Sequence, residues 1–197
     1  MKTIDYFMST SSPWTYLGSK LITEIANNSG STINVYPVNF GQIFPISGGL
    51  PLPKRAPQRQ SYRLMELQRW KKRRGSSMYI EPSNFPSTSS ISSLCIIAAR
   101  EIGSEPLALS NAILAALWED DRNIDDPEVV KSICLENKLN GMAILEAAET
   151  QKIKDLFESD TNQAIKKGVF GAPTYLIDGE IFWGQDRLDF VCEKLGI

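Results

Sequence analysis

The chain has 197 residues, 42% of them hydrophobic, and 21 basic against 23 acidic side chains leave a net charge of −2. That length buries a core as one domain or as a domain carrying an insertion, and the balanced charge argues against nucleic acid or an anionic membrane surface as a partner. There is no histidine, which excludes Ser–His–Asp triads, Cys–His pairs, imidazole bases and nearly every catalytic zinc site, so no metal centre is expected.

From Met1 the chain enters a strand within a few residues, without a basic leader and apolar run. No stretch reaches the roughly 18 apolar residues of a membrane span, so a soluble, cytoplasmic protein is expected. Thr3 to Met8 reads as a strand whose Tyr6-Phe7-Met8 run suits burial on both faces. Ser12 is an N-cap residue and Pro13 suits the first helical position, so a helix begins there and runs to about Asn28, with Gly30 as its stop. Thr32 to Val38 alternates as a second strand, parallel to the first. Gly41 to Pro57, with Pro45, Gly48, Gly49, Pro51 and Pro53, reads as a binding loop too broken for a helix.

Gln58 to Arg74 is helical and basic, and its end Lys71-Lys72-Arg73-Arg74 reads as a solvated terminus complementing the helix dipole. After a loop containing Asn84-Phe85-Pro86, five further helices are expected between Ser87 and Gly168. Thr174-Tyr175-Leu176-Ile177 and Glu180-Ile181-Phe182-Trp183 are strands joined by the turn Asp178-Gly179. Gly184-Gln185-Asp186-Arg187 then opens a terminal helix. Cys95, Cys134 and Cys192 lie far apart in apolar helical settings and read as buried structural thiols, with no C-x-x-C pair.

The order β-α-β, an all-helical middle, then β-β-α resembles a thioredoxin-like α/β fold with a helical insertion of the DsbA and kappa-class type. Ser12-Pro13-Trp14-Thr15 stands where thioredoxin-like oxidoreductases carry C-x-x-C, and Gly171-Ala172-Pro173-Thr174 where they carry a cis-proline. With Leu67-Gln68-Arg69-Trp70 and Phe182-Trp183-Gly184-Gln185-Asp186-Arg187-Leu188, these motifs make the chain similar to the 2-hydroxychromene-2-carboxylate isomerases and kappa-class glutathione transferases. The resemblance spans the whole chain. Two positions depart from the family pattern: Met8-Ser9-Thr10 replaces an acidic residue of the first strand, and Phe44 stands where a basic residue is expected. The expected division is a thioredoxin-like unit of residues 1–57 and 169–197 around an inserted helical unit of residues 58–168.

The resemblance implies glutathione as cofactor, with Ser12 donating to its thiolate at a helix start that favours anions. It places the peptide along Ala172-Pro173, in strand-like pairing with Ala172, and against Trp183, Gly184, Gln185 and Asp186, the last facing the ammonium. It implies a small aromatic or unsaturated keto-acid substrate. Lys54 or Arg55 would supply a cation, Asn84 a polar contact, and Trp14, Phe44 and Phe85 ring walls. Glutathione-dependent isomerisation is the leading expectation, with a kappa-like transferase or a non-catalytic thiol-peptide binder as alternatives. A homodimer is implied by the resemblance alone.

Overall fold

Strand β1 (Thr3–Met8) sits at the centre of the molecule, and its alternation decides the layers around it. Ile4, Tyr6 and Met8 point into the main apolar core, whereas Phe7 points into a smaller one on the opposite face. The computed structural model describes residues 2–197. In chain order β1 is followed by α1 (Pro13–Ser29), β2 (Thr32–Pro37), α2 (Phe40–Ser47), a 3-10 turn (Leu52–Lys54) and α3 (Pro57–Arg74). Next come α4 (Ser90–Glu101), α5 (Pro106–Trp118), α6 (Pro127–Glu136), α7 (Gly141–Ala148) and α8 (Gln151–Lys166). The chain then returns through β3 (Thr174–Ile177), β4 (Glu180–Trp183), a 3-10 turn (Gln185–Arg187) and α9 (Leu188–Leu195).

The sheet has the order β2-β1-β3-β4. β1 runs parallel to β2, with Tyr6 opposite Val35, and antiparallel to β3, with Phe7 opposite Thr174. β3 and β4 form the antiparallel hairpin expected around Asp178-Gly179. This is a thioredoxin-like arrangement of the DsbA type. The main core is continuous from the sheet into the helical middle, joining Tyr6 and Tyr175 to Ile96, Ile97, Leu117 and Trp118. Cys95 and Cys134 are buried in it and Cys192 is half-buried; all three are free thiols.

One segment corrects the sequence reading. Residues 41–57 were expected to be an open loop, but Phe40–Ser47 is helical, capped by the Asn39 side chain accepting from the Gly41 N–H at 2.9 Å. Pro45 lies inside this helix, where it removes one donor from a short and largely exposed turn. Ile43, fully buried beside Phe7 and Val38, supplies the tertiary contact that outweighs the poor local propensity. Among the described residues, no helix is long and apolar enough to cross a membrane.

Candidate active site

Ser12 caps α1 as its sequence predicts. Its φ and ψ are −82° and 122°, its carbonyl accepts from the Tyr16 N–H at 3.0 Å, and its Oγ accepts from the Thr15 N–H at 3.2 Å. That contact uses an acceptor site of the oxygen, and the hydroxyl proton has no acceptor among the described residues. The neighbouring hydroxyls are placed differently. Ser11 Oγ lies 3.3 Å from Ser9 Oγ, and Thr15 Oγ1 is fully buried without a partner. The loop before the cap is fixed by a buried bond of 2.8 Å between Thr10 Oγ1 and Ser92 Oγ at the head of α4.

The β1–β3 register carries the second strand of the site to the same end of the sheet, since Pro173 immediately precedes Thr174, which lies opposite Phe7 near the end of β1. The Ala172-Pro173 bond is cis. The Pro173 carbonyl accepts from the Gly184 N–H at 2.9 Å, and Thr174 Oγ1 donates to the Gly171 carbonyl at 2.6 Å. The N–H and C=O of Ala172 take part in no bond of the sheet or its turns. Gly171 lies hard against the Trp183 indole, leaving no room for a Cβ, and Trp183 itself is half-exposed against Phe170 at 4.8 Å.

The turn after β4 is more occupied than its sequence suggests. The Gly184 N–H is already spent on Pro173. Gln185 is buried, and its Oε1 accepts from Arg74 Nε at 3.2 Å and Nη2 at 2.9 Å, while its carbonyl accepts from the same Nη2 at 3.0 Å. Asp186 pairs with Arg187 at 2.7 Å. Arg74 therefore does not belong to a solvated helix end: it is half-buried and ties α3 to the turn. Its neighbour Trp70 has the guanidinium groups of Arg73 and Arg74 each 5.2 Å from its ring centre.

Between these elements lies a cleft of about 520 Å³, within the roughly 300–1,000 Å³ range of small-molecule sites. One wall is Trp14, Ala172, Trp183 and the turn from Gly184 to Arg187; the other is Arg55 and the face of α3 bearing Arg59, Tyr62, Arg63, Glu66 and Trp70. Ser12 and Pro173 are not lining residues and stand behind Trp14 and Ala172 in the chain. Burial lowers the pKa of Arg55, with Arg59 adding to the shift, and likewise lowers that of Arg63, with Arg55 adding and Glu81 opposing. Glu66 is held below the usual carboxylate range chiefly by its hydrogen bond from Arg69.

Four of the expected substrate contacts also fall outside this cleft. Phe44 packs on Phe40 at 5.7 Å and over Gly49, and Lys54 is exposed on the 3-10 turn. Asn84 is bound to Asp121, its backbone N–H donating to Oδ1 at 2.9 Å and its side chain to the carbonyl at 2.5 Å. Phe85 packs on Trp118 at 5.2 Å and carries the Arg63 guanidinium 5.3 Å from its ring centre, so it supports the cleft from behind. Sequence reading missed Arg59, Tyr62, Arg63, Glu66 and Trp70. Their spacing of three and four residues places them on one helix face, which was the available signal.

Residues 3–196 match the family model described as the DSBA-like thioredoxin domain. The chain is 26% identical over 192 residues to a 2-hydroxychromene-2-carboxylate isomerase of Sphingobium xenophagum, covering 96% of each. It is 22% identical over 209 residues to human glutathione S-transferase kappa 1, covering 99% of this chain and 91% of that one. Among solved structures, a 2-hydroxychromene-2-carboxylate isomerase superposes with a TM-score of 0.84 at 21% identity, covering 98% of this chain and 94% of that one.

Proposed function

The chain belongs to the DSBA-like thioredoxin domain family, and on that premise we propose that it is a cytoplasmic, glutathione-dependent isomerase of the 2-hydroxychromene-2-carboxylate isomerase type. Relatives named as isomerases and as a kappa glutathione transferase support an enzyme of this group. Thiol–disulfide exchange is set aside on chemistry, because a thiolate is the nucleophile in that reaction and the helix start holds Ser12 at its cap and Thr15 in its first turn, with no cysteine. Burial pushes the Cys95 thiol up to about 12 and the Cys134 thiol up to about 11.

The residues present fit a thiol peptide. Ala172 offers an unpaired N–H and C=O to an extended chain, and the cleft has the volume for a small ligand. Ser12 would hold the sulfur, Ala172 the cysteinyl backbone, and the turn Gly184-Gln185-Asp186 the γ-glutamyl end, with Asp186 exchanging Arg187 for the ammonium. When bound, glutathione would supply the thiolate for a reversible conjugate addition to an unsaturated α-keto acid, with bond rotation before the thiolate is eliminated and recovered.

The observation that carries this reading is the free proton of the Ser12 hydroxyl at the mouth of α1, its oxygen already accepting from Thr15. Lowering a thiol from a pKa of about 8.5 to about 7 requires roughly 2 kcal/mol. One hydrogen bond to a charged group contributes about 1.5–3 kcal/mol, and a helix start about 0.3–1 kcal/mol. Ser12 and α1 together therefore suffice without a histidine. The test is the ultraviolet thiolate absorbance of bound glutathione at neutral pH. Ser12→Ala should abolish most of it, raising the pKa of the bound thiol by about one unit or more; an unchanged titration removes Ser12 from the role.

The kappa-like relative favours a second reading, in which the same site conjugates electrophiles and glutathione is consumed. Stoichiometry separates the two: glutathione recovered after turnover of a chromene carboxylate means isomerisation, and loss to chlorodinitrobenzene means transfer. A homodimer is part of the proposal and is read by sedimentation.

A further inference from the structure

The turn after β4 is fixed from three sides. Gly184, at φ 106° and ψ 147°, a conformation suited to glycine, donates its N–H to the Pro173 carbonyl at 2.9 Å. Gln185 packs closely against Gly18 of α1. The third tie is polar and comes from α3. Arg74 reaches the side-chain oxygen of Gln185 through Nε and Nη2 and its main-chain carbonyl through the same Nη2, at 2.9 to 3.2 Å. Gln185 is only 2% exposed, so without the guanidinium these two oxygens would be left in a buried place without their donor. The other side of the fork rests 5.2 Å from the Trp70 ring centre. Arg74 does not line the cleft, whereas Gly184, Gln185 and Asp186 do. Within the turn, the N–H groups of Gln185 and Asp186 donate to no acceptor among the described residues. Asp186 folds back over Gly184, its Oδ1 filling the space a Cβ there would need. Two free donors beside a carboxylate match the carboxylate and ammonium of an amino-acid end.

We infer that Arg74 is a positioning residue for peptide recognition: acting through Gln185 and touching no ligand, it holds the turn in the shape that grips the γ-glutamyl arm of glutathione. The inference rests on the glutathione reading proposed above. It gives α3 a part in binding the peptide from behind the cleft wall, through a contact 111 positions apart in the chain.

Calorimetric titration of the intact protein with glutathione and with cysteinylglycine, the same thiol peptide without its γ-glutamyl residue, tests the assignment. The wild type should bind glutathione at least about tenfold more tightly, a difference of about 1.4 kcal/mol. Arg74→Lys keeps the charge but loses the planar fork. It should reduce that preference to about twofold, while the affinity for cysteinylglycine and the ultraviolet titration of the bound glutathione thiol stay as in the wild type. Gln185→Leu removes the side-chain acceptor instead and should lose the same preference, which carries the test should Arg74→Lys fail to fold. The double variant should lose no more than either single one, as expected of two residues acting as a unit. A folded Arg74→Lys protein with the wild-type preference overturns the role. So does an equal loss for both peptides, which leaves the contact a structural tie only. Equal binding of the two peptides by the wild type also overturns it, by removing the γ-glutamyl arm from the turn, and leaves the role of Ser12 standing. A wild type that binds neither peptide refutes the glutathione reading and the positioning role together.

Discussion

Ser12 is a helix cap and, in the proposed function, also a donor, and the two roles would use different parts of one hydroxyl. Its oxygen satisfies the Thr15 N–H, which leaves the proton for the sulfur in the proposed site. Asp186 is the second residue whose effect is separable. Its pair with Arg187 is substantially exposed, the two side chains retaining 40% and 50% of their accessible surface. Such a pair contributes about 0–1 kcal/mol to stability. Asp186→Asn should therefore leave the melting temperature almost unchanged while weakening glutathione binding several-fold, roughly 1 kcal/mol of a charge-assisted contact. Unaltered affinity by calorimetry would exclude the ammonium contact.

At the scale of elements, α1 packs close enough to the turn after β4 that its middle admits no side chain. A Cβ on Gly18 would lie 2.8 Å from the Tyr175 hydroxyl and 2.9 Å from Gln185 Cβ. Alanine improves helix propensity by up to about 1 kcal/mol, but overpacking costs about 1–3 kcal/mol. Gln185 is held by Arg74 and Tyr175 is buried, so neither neighbour yields and the second effect wins. Gly18→Ala should lower the thermal midpoint; an unchanged or higher value means the turn gives way. Elements whose own apolar pattern marks their buried residues were legible in the sequence, as β1, α1 and the β3–β4 hairpin show. α2 was not, because it depends on Ile43 meeting Phe7 and carries Pro45 against its propensity. Arg74 was not either: its partner lies 111 positions away, and nothing local distinguishes it from Lys71, Lys72 or Arg73. The residues of α3 that line the cleft shared a readable helix face, but that this face meets the turn after β4 is a property of the assembled walls.

Across the whole molecule, acid sensitivity follows from how the segment between α3 and α4 is tied down. Asp121 accepts from the backbone of Asn84 and Ser83, which lowers its pKa. Burial alone would raise that of Asp125, but hydrogen bonds from Thr88, Ser87 and Ser89 outweigh it and the net shift is downward. A carboxylate depressed in the fold stabilises it above the unfolded pKa of about 4, and that contribution is lost as pH falls through the folded value. Asp160, raised by burial despite Arg100, acts in the opposite sense and offsets part of the loss. The urea midpoint should fall between pH 6 and pH 3, and Asp125→Asn should narrow the difference by lowering the value at pH 6. A midpoint indifferent to pH in the wild type would place these straps outside the cooperative unit.

The Arg74–Gln185 contact reaches from one side of the cleft to the other. The two walls are riveted together at the rear, and the gap cannot widen there unless a buried amide surrenders its cation. If the proposed function holds, a visiting molecule would meet jaws of preset span, and thickness would become a criterion of admission.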